Sequence, residues 1–362
     1  MTSKLEFTYH RSAVPVPPTD RARMLDAPQF GKVFTDHMVT IRYSTQMGWH
    51  DARVEPRAPL TMDLASVVLN YAQEIFEGLK AYKSADGGVS LFRPLENARR
   101  FQRSAQRLAM PELPEELFVE AVTRLVDIDR AWVPEGAGSL YLRPVMFATE
   151  AFLGVKPASE YLFAVIASPV GSYFSGGSRA ISVWATKTYA RAAIGGTGAA
   201  KCGGNYAAGL VAQVEAQQQG CDQVVFLDAA ERRWVEELGG MNIFFVFADG
   251  SMSTPPLGGT ILPGVTRASL LELGRRRGMA VREEPYSFEQ WRSDAITGKL
   301  QEAFACGTAA VVTSIGAVRS ADGDFTIGDG GEGPIAVSLR DELAGLQRGE
   351  TEDPFGWRQR IL

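Results

Sequence analysis

The stretch GGTGAAKCGGNYAAGL, residues 195–210, sets one lysine, Lys201, among glycines and alanines and runs directly into a helical pattern. A lysine that joins a bulky aldehyde as an imine needs a slim backbone around it, so that the ring can approach and the amine can swing. A helix is expected from about Asn205, ended by Gly220. Working outward, a strand is expected over 180–186, and CDQVVFLD (221–228) and NIFFVFAD (242–249) read as two more. In GGTILPGVTRASLLELGRRRG (258–278) a proline-glycine turn stands before a helix whose Leu270, Leu271 and Leu273 face inward.

The first half has the same mixed character. A strand at 89–93 precedes ENARRFQRSAQRLAM (96–110), where Phe101, Ala105 and Leu108 fall at helical spacing, and a second helix is expected over 115–131. SLYLRPVMFAT (139–149) and SEYLFAVIAS (159–168) are β-rich, and PVGSYFSGGS (169–178) concentrates proline, glycine and serine. The expected organisation is therefore α/β with two domains: an N-terminal domain over 1–168, a linker over 169–178, and a strand-rich C-terminal domain over 179–362 that holds the lysine. The first 20 residues, with Pro15, Pro17 and Pro18, read as a flexible arm without a fold of its own.

At 362 residues with 45% hydrophobic content, the chain can fill two cores. Thirty-seven basic against 42 acidic residues give a net charge of -5, with no long basic run to track a phosphate backbone, so nucleic acid is not an expected partner. The N-terminus has no apolar secretion core and no stretch of eighteen apolar residues occurs, so a cytoplasmic enzyme that neither enters nor crosses a membrane is expected. Three widely spaced cysteines (Cys202, Cys221, Cys306) and three scattered histidines (His10, His37, His50) suggest neither a disulfide framework nor a metal site.

Two further features bear on chemistry. A helix start presents unpaired amides and positive dipole, so Val265 and Thr266 can hold a phosphate, although a glycine before a helix is equally at home in an ordinary turn. In EELGGMNIFF (236–245), Glu237 and Asn242 enter a strongly apolar strand. A carboxylate there needs a cationic partner, for which a protonated pyridine nitrogen would serve; the other reading is a surface glutamate at a strand end. With the lysine, these features meet the needs of pyridoxal 5'-phosphate: an imine-forming amine, an acid for the ring nitrogen, a donor to the ring oxygen and a phosphate cup.

At this point the chain resembles the class IV, fold type IV pyridoxal-phosphate aminotransferases, most closely the branched-chain amino acid aminotransferases, from about Phe30 to about Val318. The words that carry this are FGKVFTDHM (30–38), FEGLKAY (76–82), LFRPLENARRFQRSAQRLAMP (91–111), YLRPVMF (141–147), SPVGSYF (168–174), the lysine segment through VVFLD, EELGGMNIFF, STPPLGGTILPGVTR and ACGTAAVV. The resemblance implies that Lys201 is the catalytic, imine-forming lysine, that Tyr206 meets the ring oxygen and that Glu237 pairs with the ring nitrogen. It further implies phosphate contacts from Arg100, Val265, Thr266 and Thr308, and a place near the cofactor for Arg191. For the substrate it implies a carboxylate anchor at the amides of Thr308 and Ala309 helped by Tyr71, an apolar pocket of Phe30, Phe76, Tyr141 and Tyr173, and Arg143 for a dicarboxylate. Each aromatic is also compatible with plain core packing. Leu153 and Val155 resemble a loop that closes a partner subunit's pocket, in a homodimer with its site at the domain junction.

The activity this implies is reversible, ping-pong amino transfer between L-leucine, L-isoleucine or L-valine and 2-oxoglutarate, within branched-chain amino-acid biosynthesis or breakdown. A D-amino acid aminotransferase or an aminodeoxychorismate lyase of the same fold is the alternative, and a pyridoxal-phosphate-binding protein without turnover is a remoter one. The chain departs from the family in two places. Ala310 and Thr313 stand where some members carry a redox-active cysteine pair, and Gly240 stands where many carry threonine.

Overall fold

The structure is a computed structural model and describes residues 5–171 and 180–362. The described chain divides into two compact units. One takes the residues before position 174 with Ala200–Gly203 and Leu346–Leu362; the other takes those from 174 to Ala199 with Gly204–Gly345.

The first unit is built on a sheet of β1 (Phe7–Tyr9), β2 (His37–Ser44), β3 (Gly48–Pro56), β4 (Glu74–Phe76), β5 (Leu79–Lys83), β6 (Val89–Phe92), β7 (Ser139–Ala148) and β8 (Glu160–Val170). Four helices accompany it: α1 (Pro18–Asp26), α2 (Val67–Tyr71), α3 (Pro94–Arg107) and α4 (Glu115–Ile128). The long hairpin of β7 and β8 runs in register from Ser139 opposite Val170 to Ala148 opposite Tyr161. Pro144 sits inside β7, where its missing N–H would ordinarily cost a ladder bond. Its other neighbour is interrupted at that point: β4 ends at Phe76, β5 begins at Leu79, and the Pro144 carbonyl accepts the Glu77 amide at 2.8 Å. The interruption is what turns Glu77 toward α3. The core is a cluster that includes Val39, Ile41, Val54, Leu91 and Leu125, around Phe101, Phe118 and Phe163 with ring centroids 5.4–6.1 Å apart.

The second unit carries β9 (Ile181–Thr186), β10 (Gln223–Leu227), β11 (Val235–Leu238), β12 (Asn242–Phe247), β13 (Met252–Thr254), β14 (Val281–Glu283), β15 (Leu300–Gly307), β16 (Val311–Ser320) and β17 (Phe325–Thr326). They form one sheet in the order β11-β10-β9-β16-β15-β12-β13-β14, with β17 beside β16. Its helices are α5 (Gly203–Gln218), α6 (Val265–Arg276), α7 (Phe288–Ile296) and α8 (Pro334–Arg348). α5 packs through small residues, Ala212 and Ala216, against Trp184, Val224 and Phe226. Leu270, Leu271 and Leu273 of α6 are buried, as its spacing predicts.

Two sequence expectations are corrected. The arm over the first 20 residues is not without structure: β1 pairs in parallel with β3, Phe7 opposite Ala52, and α1 begins at Pro18. The chain from 179 to 362 is not one domain either. Its last segment, β18 (Arg358–Arg360), pairs antiparallel with β6 and completes the first sheet, and Ala200–Gly203 also belong to the first unit. Both corrections involve pairing between segments remote in sequence, which local patterns do not record. The expected linker lies largely outside the described residues, as does Tyr173.

Candidate active site

Lys201 is grouped with the first unit, and its backbone is fixed on both sides. Its amide donates to Oγ of Ser104 at 2.9 Å, and its carbonyl accepts the Phe76 amide at 2.9 Å. Ser104 lies one turn beyond Arg100 on α3, and its hydroxyl donates back to the Arg100 carbonyl at 2.9 Å. Two residues past the lysine, the Gly203 amide donates to the Glu74 carboxylate, so closely that a Cβ at 203 would overlap it. The slim backbone is thus required at Gly203 by a carboxylate, in addition to whatever room the lysine needs.

The Lys201 amine lies 4.7 Å from the centre of the Phe76 ring, and the Arg143 guanidinium faces the same ring at 4.7 Å. Arg143 Nη2 donates to the Tyr141 hydroxyl at 3.1 Å, and Phe30 meets the Tyr141 ring edge-on at 5.1 Å. Arg100 is buried and paired with Glu77, Nε to Oε1 at 2.6 Å and Nη2 to Oε2 at 2.9 Å, while Asn97 donates to the same carboxylate at 2.8 Å. Any contact of Arg100 to a phosphate therefore falls to Nη1. Burial pushes the Glu77 carboxyl up, and the Arg100 guanidinium more than reverses this, so its pKa ends below the ordinary value. Burial and the nearby Arg100 charge push the Lys201 amine down to about 8, against the pull of Glu77. Tyr71 donates its hydroxyl to the Leu153 carbonyl, and Leu153 and Val155 are 66% and 87% exposed.

The remaining expected residues lie in the second unit. Glu237 on β11 is buried; its Oε1 takes Arg191 Nη1 at 2.7 Å and the Leu262 amide at 2.9 Å. Arg191 also donates to the Thr260 and Gly198 carbonyls at 2.9 and 3.3 Å, with its Nε buried and unpartnered. Asn242, opening β12, donates to the Leu262 carbonyl at 3.0 Å, which ties the Glu237 strand to the turn before α6. That helix has an extended Gly264 at its cap and no side-chain cap, with Val265 and Thr266 as its first residues. Thr308 and Ala309 form the turn between β15 and β16, closed by Val311 at φ 61°, a left-handed conformation unusual for a β-branched residue. Tyr206 lies in the first turn of α5, and a Cβ at Gly240 would rest 3.5 Å from its ring.

The residues present fit pyridoxal phosphate. The uncapped α6 start offers amides for a phosphate, and the buried Glu237 carboxylate, charge-balanced by Arg191, suits a cationic ring nitrogen. The Lys201 amine is held near neutrality, as an imine-forming group requires.

The family model for amino-transferase class IV matches residues 74–318. A branched-chain-amino-acid aminotransferase of Mycolicibacterium smegmatis is 53% identical over 99% of this chain and 98% of its own length. A probable branched-chain-amino-acid aminotransferase of Streptomyces coelicolor is 54% identical over 96% of each. Among solved structures, the branched-chain amino acid aminotransferase of Escherichia coli aligns with TM-score 0.73 and 28% identity over 90% of this chain and 99% of that one. A thermophile's branched-chain amino acid aminotransferase, solved with pyridoxamine 5'-phosphate, aligns with TM-score 0.74 and 28% identity, over 89% and 98%. Fold and site together are those of a fold type IV, pyridoxal-phosphate-dependent aminotransferase. Within that class, the chain belongs to the branched-chain-amino-acid aminotransferase family.

Sequence reasoning missed Glu77, Ser104 and Glu74, which hold Arg100, Lys201 and Gly203. Glu77 carried a usable signal, since a carboxylate in the apolar run EIFEGLKAY (74–82) raises the same demand for a cation that singled out Glu237.

Proposed function

We propose that this enzyme interconverts L-leucine, L-isoleucine and L-valine with their 2-oxo acids, with glutamate and 2-oxoglutarate as the second pair. The observation that carries the reading is the Lys201 amine, held near 8 beside an aromatic wall of Phe76, Tyr141 and Phe30. Pyridoxal phosphate, when bound, supplies an aldehyde for the substrate amine and a ring that holds the electron pair left at Cα. Lys201 then takes the Cα proton as general base, which its lowered pKa makes possible at neutral pH, and returns it one carbon away. Glu237 keeps a negative charge where a protonated ring nitrogen needs one, and Arg191 and the Leu262 amide hold that carboxylate in place.

The aromatic wall favours an apolar side chain, and Arg143, itself held by Tyr141, offers the second contact to a dicarboxylate. Thr308 and Ala309, with Tyr71, are the proposed anchor for the substrate carboxylate. In this reading Tyr206 meets the ring oxygen, and Arg100, Val265, Thr266 and Thr308 share the phosphate. The exposed apolar Leu153 and Val155 support a working homodimer in which that loop meets a second copy. A cytoplasmic location belongs to the same reading; no helix among the described residues is long and apolar enough to cross a membrane.

The test is consumption of glutamate across a panel of 2-oxo acids, with L-leucine and D-alanine compared as donors in the reverse direction. Preference for 4-methyl-2-oxopentanoate and its branched isomers over pyruvate, with L-leucine used and D-alanine not, is the expected result. The opposite donor preference would replace this reading with a D-amino acid aminotransferase.

A further inference from the structure

Glu236 and Glu237 are consecutive on β11, and successive strand residues point to opposite faces. Glu237 serves Arg191 and the Leu262 amide, whereas Oε1 of Glu236 accepts the Thr260 hydroxyl at 2.5 Å. On the Glu236 side lies a cavity of about 580 Å³ within the second unit, walled by Trp234, Pro255, Pro256, Pro285, Ile261 and Ile194. That volume is within the range of small-molecule sites. None of Lys201, Arg191, Glu237, Val265 or Thr266 lines it.

Three acidic residues line this recess, and they differ in what they have left to offer. Asp228 is saturated, its carboxylate accepting the amides of Ala230, Glu231, Arg233 and Trp234 at 3.1, 2.6, 2.9 and 2.8 Å. Glu231 is on the exposed rim. Glu236 is only 8% exposed, and its Oε2 is buried with no hydrogen-bond partner. A buried acceptor without a donor is unfavourable, and native structures rarely leave one without reason. Burial also raises the Glu236 carboxyl, opposed by the Thr260 hydroxyl, and a cation arriving at Oε2 would favour its charged form.

We propose that this recess is a second small-molecule site, which takes an apolar amine whose ammonium N–H donates to Oε2 of Glu236 while its hydrocarbon body rests on Trp234 and the prolines. Thr260 connects it to the cofactor acid, because its hydroxyl serves Glu236 and its carbonyl accepts Arg191. A ligand in the recess therefore bears on the Arg191–Glu237 pair through one residue.

The test is calorimetric titration of the holoenzyme with N,N-dimethylbenzylamine, whose tertiary ammonium has one N–H and cannot condense with an aldehyde. Saturable binding of one equivalent per chain is expected, undiminished by saturating L-leucine. Benzyltrimethylammonium, with the same ring and charge but no N–H, should bind about tenfold more weakly, and Glu236→Gln should weaken the amine by a similar factor. Ala230→Trp, a substitution at the exposed rim, should abolish binding by filling the recess without touching Glu236. Absence of saturable binding at millimolar amine, displacement by L-leucine, or unchanged binding in either variant would overturn the proposal.

Discussion

At neutral pH an amine held near 8 is unprotonated roughly a tenth of the time, against less than about a thousandth for an ordinary lysine, so burial of Lys201 beside Arg100 prepares the base. Lys201→Ala should leave a folded protein with turnover reduced by at least about 10²–10⁴, measured as glutamate formation per holoenzyme. The same depressed pKa sets a sign for stability. Below pH 8 the folded chain holds a charge that the unfolded chain solvates better, and between about 8 and 10.5 the unfolded state binds more protons, so stability rises with pH there. Lys201→Met apoprotein should accordingly melt higher than the parent at pH 7, with the gap closing toward pH 10.5. Glu77 has the opposite sign. Its lowered pKa means that the stability from its pairing with Arg100 is present above about pH 4.5 and is lost as pH falls through the folded value. Glu77→Ala strands a buried guanidinium and should cost about 3–5 kcal/mol in urea unfolding at pH 7. At this scale Lys201 and Glu237 were legible because their chemistry shows in neighbouring letters. Glu77 was not, because its partner is 23 positions away.

The elements that were legible are those with a local cause. Prolines and a turn of inward leucines mark α3 and α6, and the alternation in SLYLRPVMFA gives β7. What local pattern does not show is how an element meets the next. Pro144 is tolerated inside β7 only because its neighbour breaks at Glu77–Gly78, and that break sets Gly78 directly against Tyr141. A Cβ at 78 would overlap the Tyr141 hydroxyl, so Gly78→Ala should lower the thermal midpoint and weaken binding of 2-oxoglutarate by disturbing the Tyr141–Arg143 contact. Adding Tyr141→Phe should restore part of the stability without restoring the binding, since the clash is relieved while the hydroxyl that holds Arg143 stays absent. β1 was read as arm because a three-residue strand has too little pattern to register, and its pairing partner, β3, lies some forty positions on.

For the whole molecule, the C-terminal return matters most. Trp357 stacks on Phe355 at 4.0 Å, meets Phe92 edge-on at 5.8 Å and carries Arg93 over its face at 4.7 Å, so the tail is clamped where β18 covers β6. Deleting residues 354–362 should uncover the β6 edge, lower the thermal midpoint and promote aggregation, read by light scattering during a melt. The amino-acid sequence by itself determined the mixed α/β class, the lysine and acid of the chemistry, and the helix start suited to phosphate. Each of these depends on residue type and short-range spacing. Only the tertiary structure decided that Arg100 is held by Glu77, that Ser104 fixes the Lys201 backbone, that the last strand closes the first sheet, and that Glu236 faces an apolar recess. Those facts rest on contacts between residues tens to hundreds of positions apart, where packing geometry and the need to satisfy buried charge select the partner.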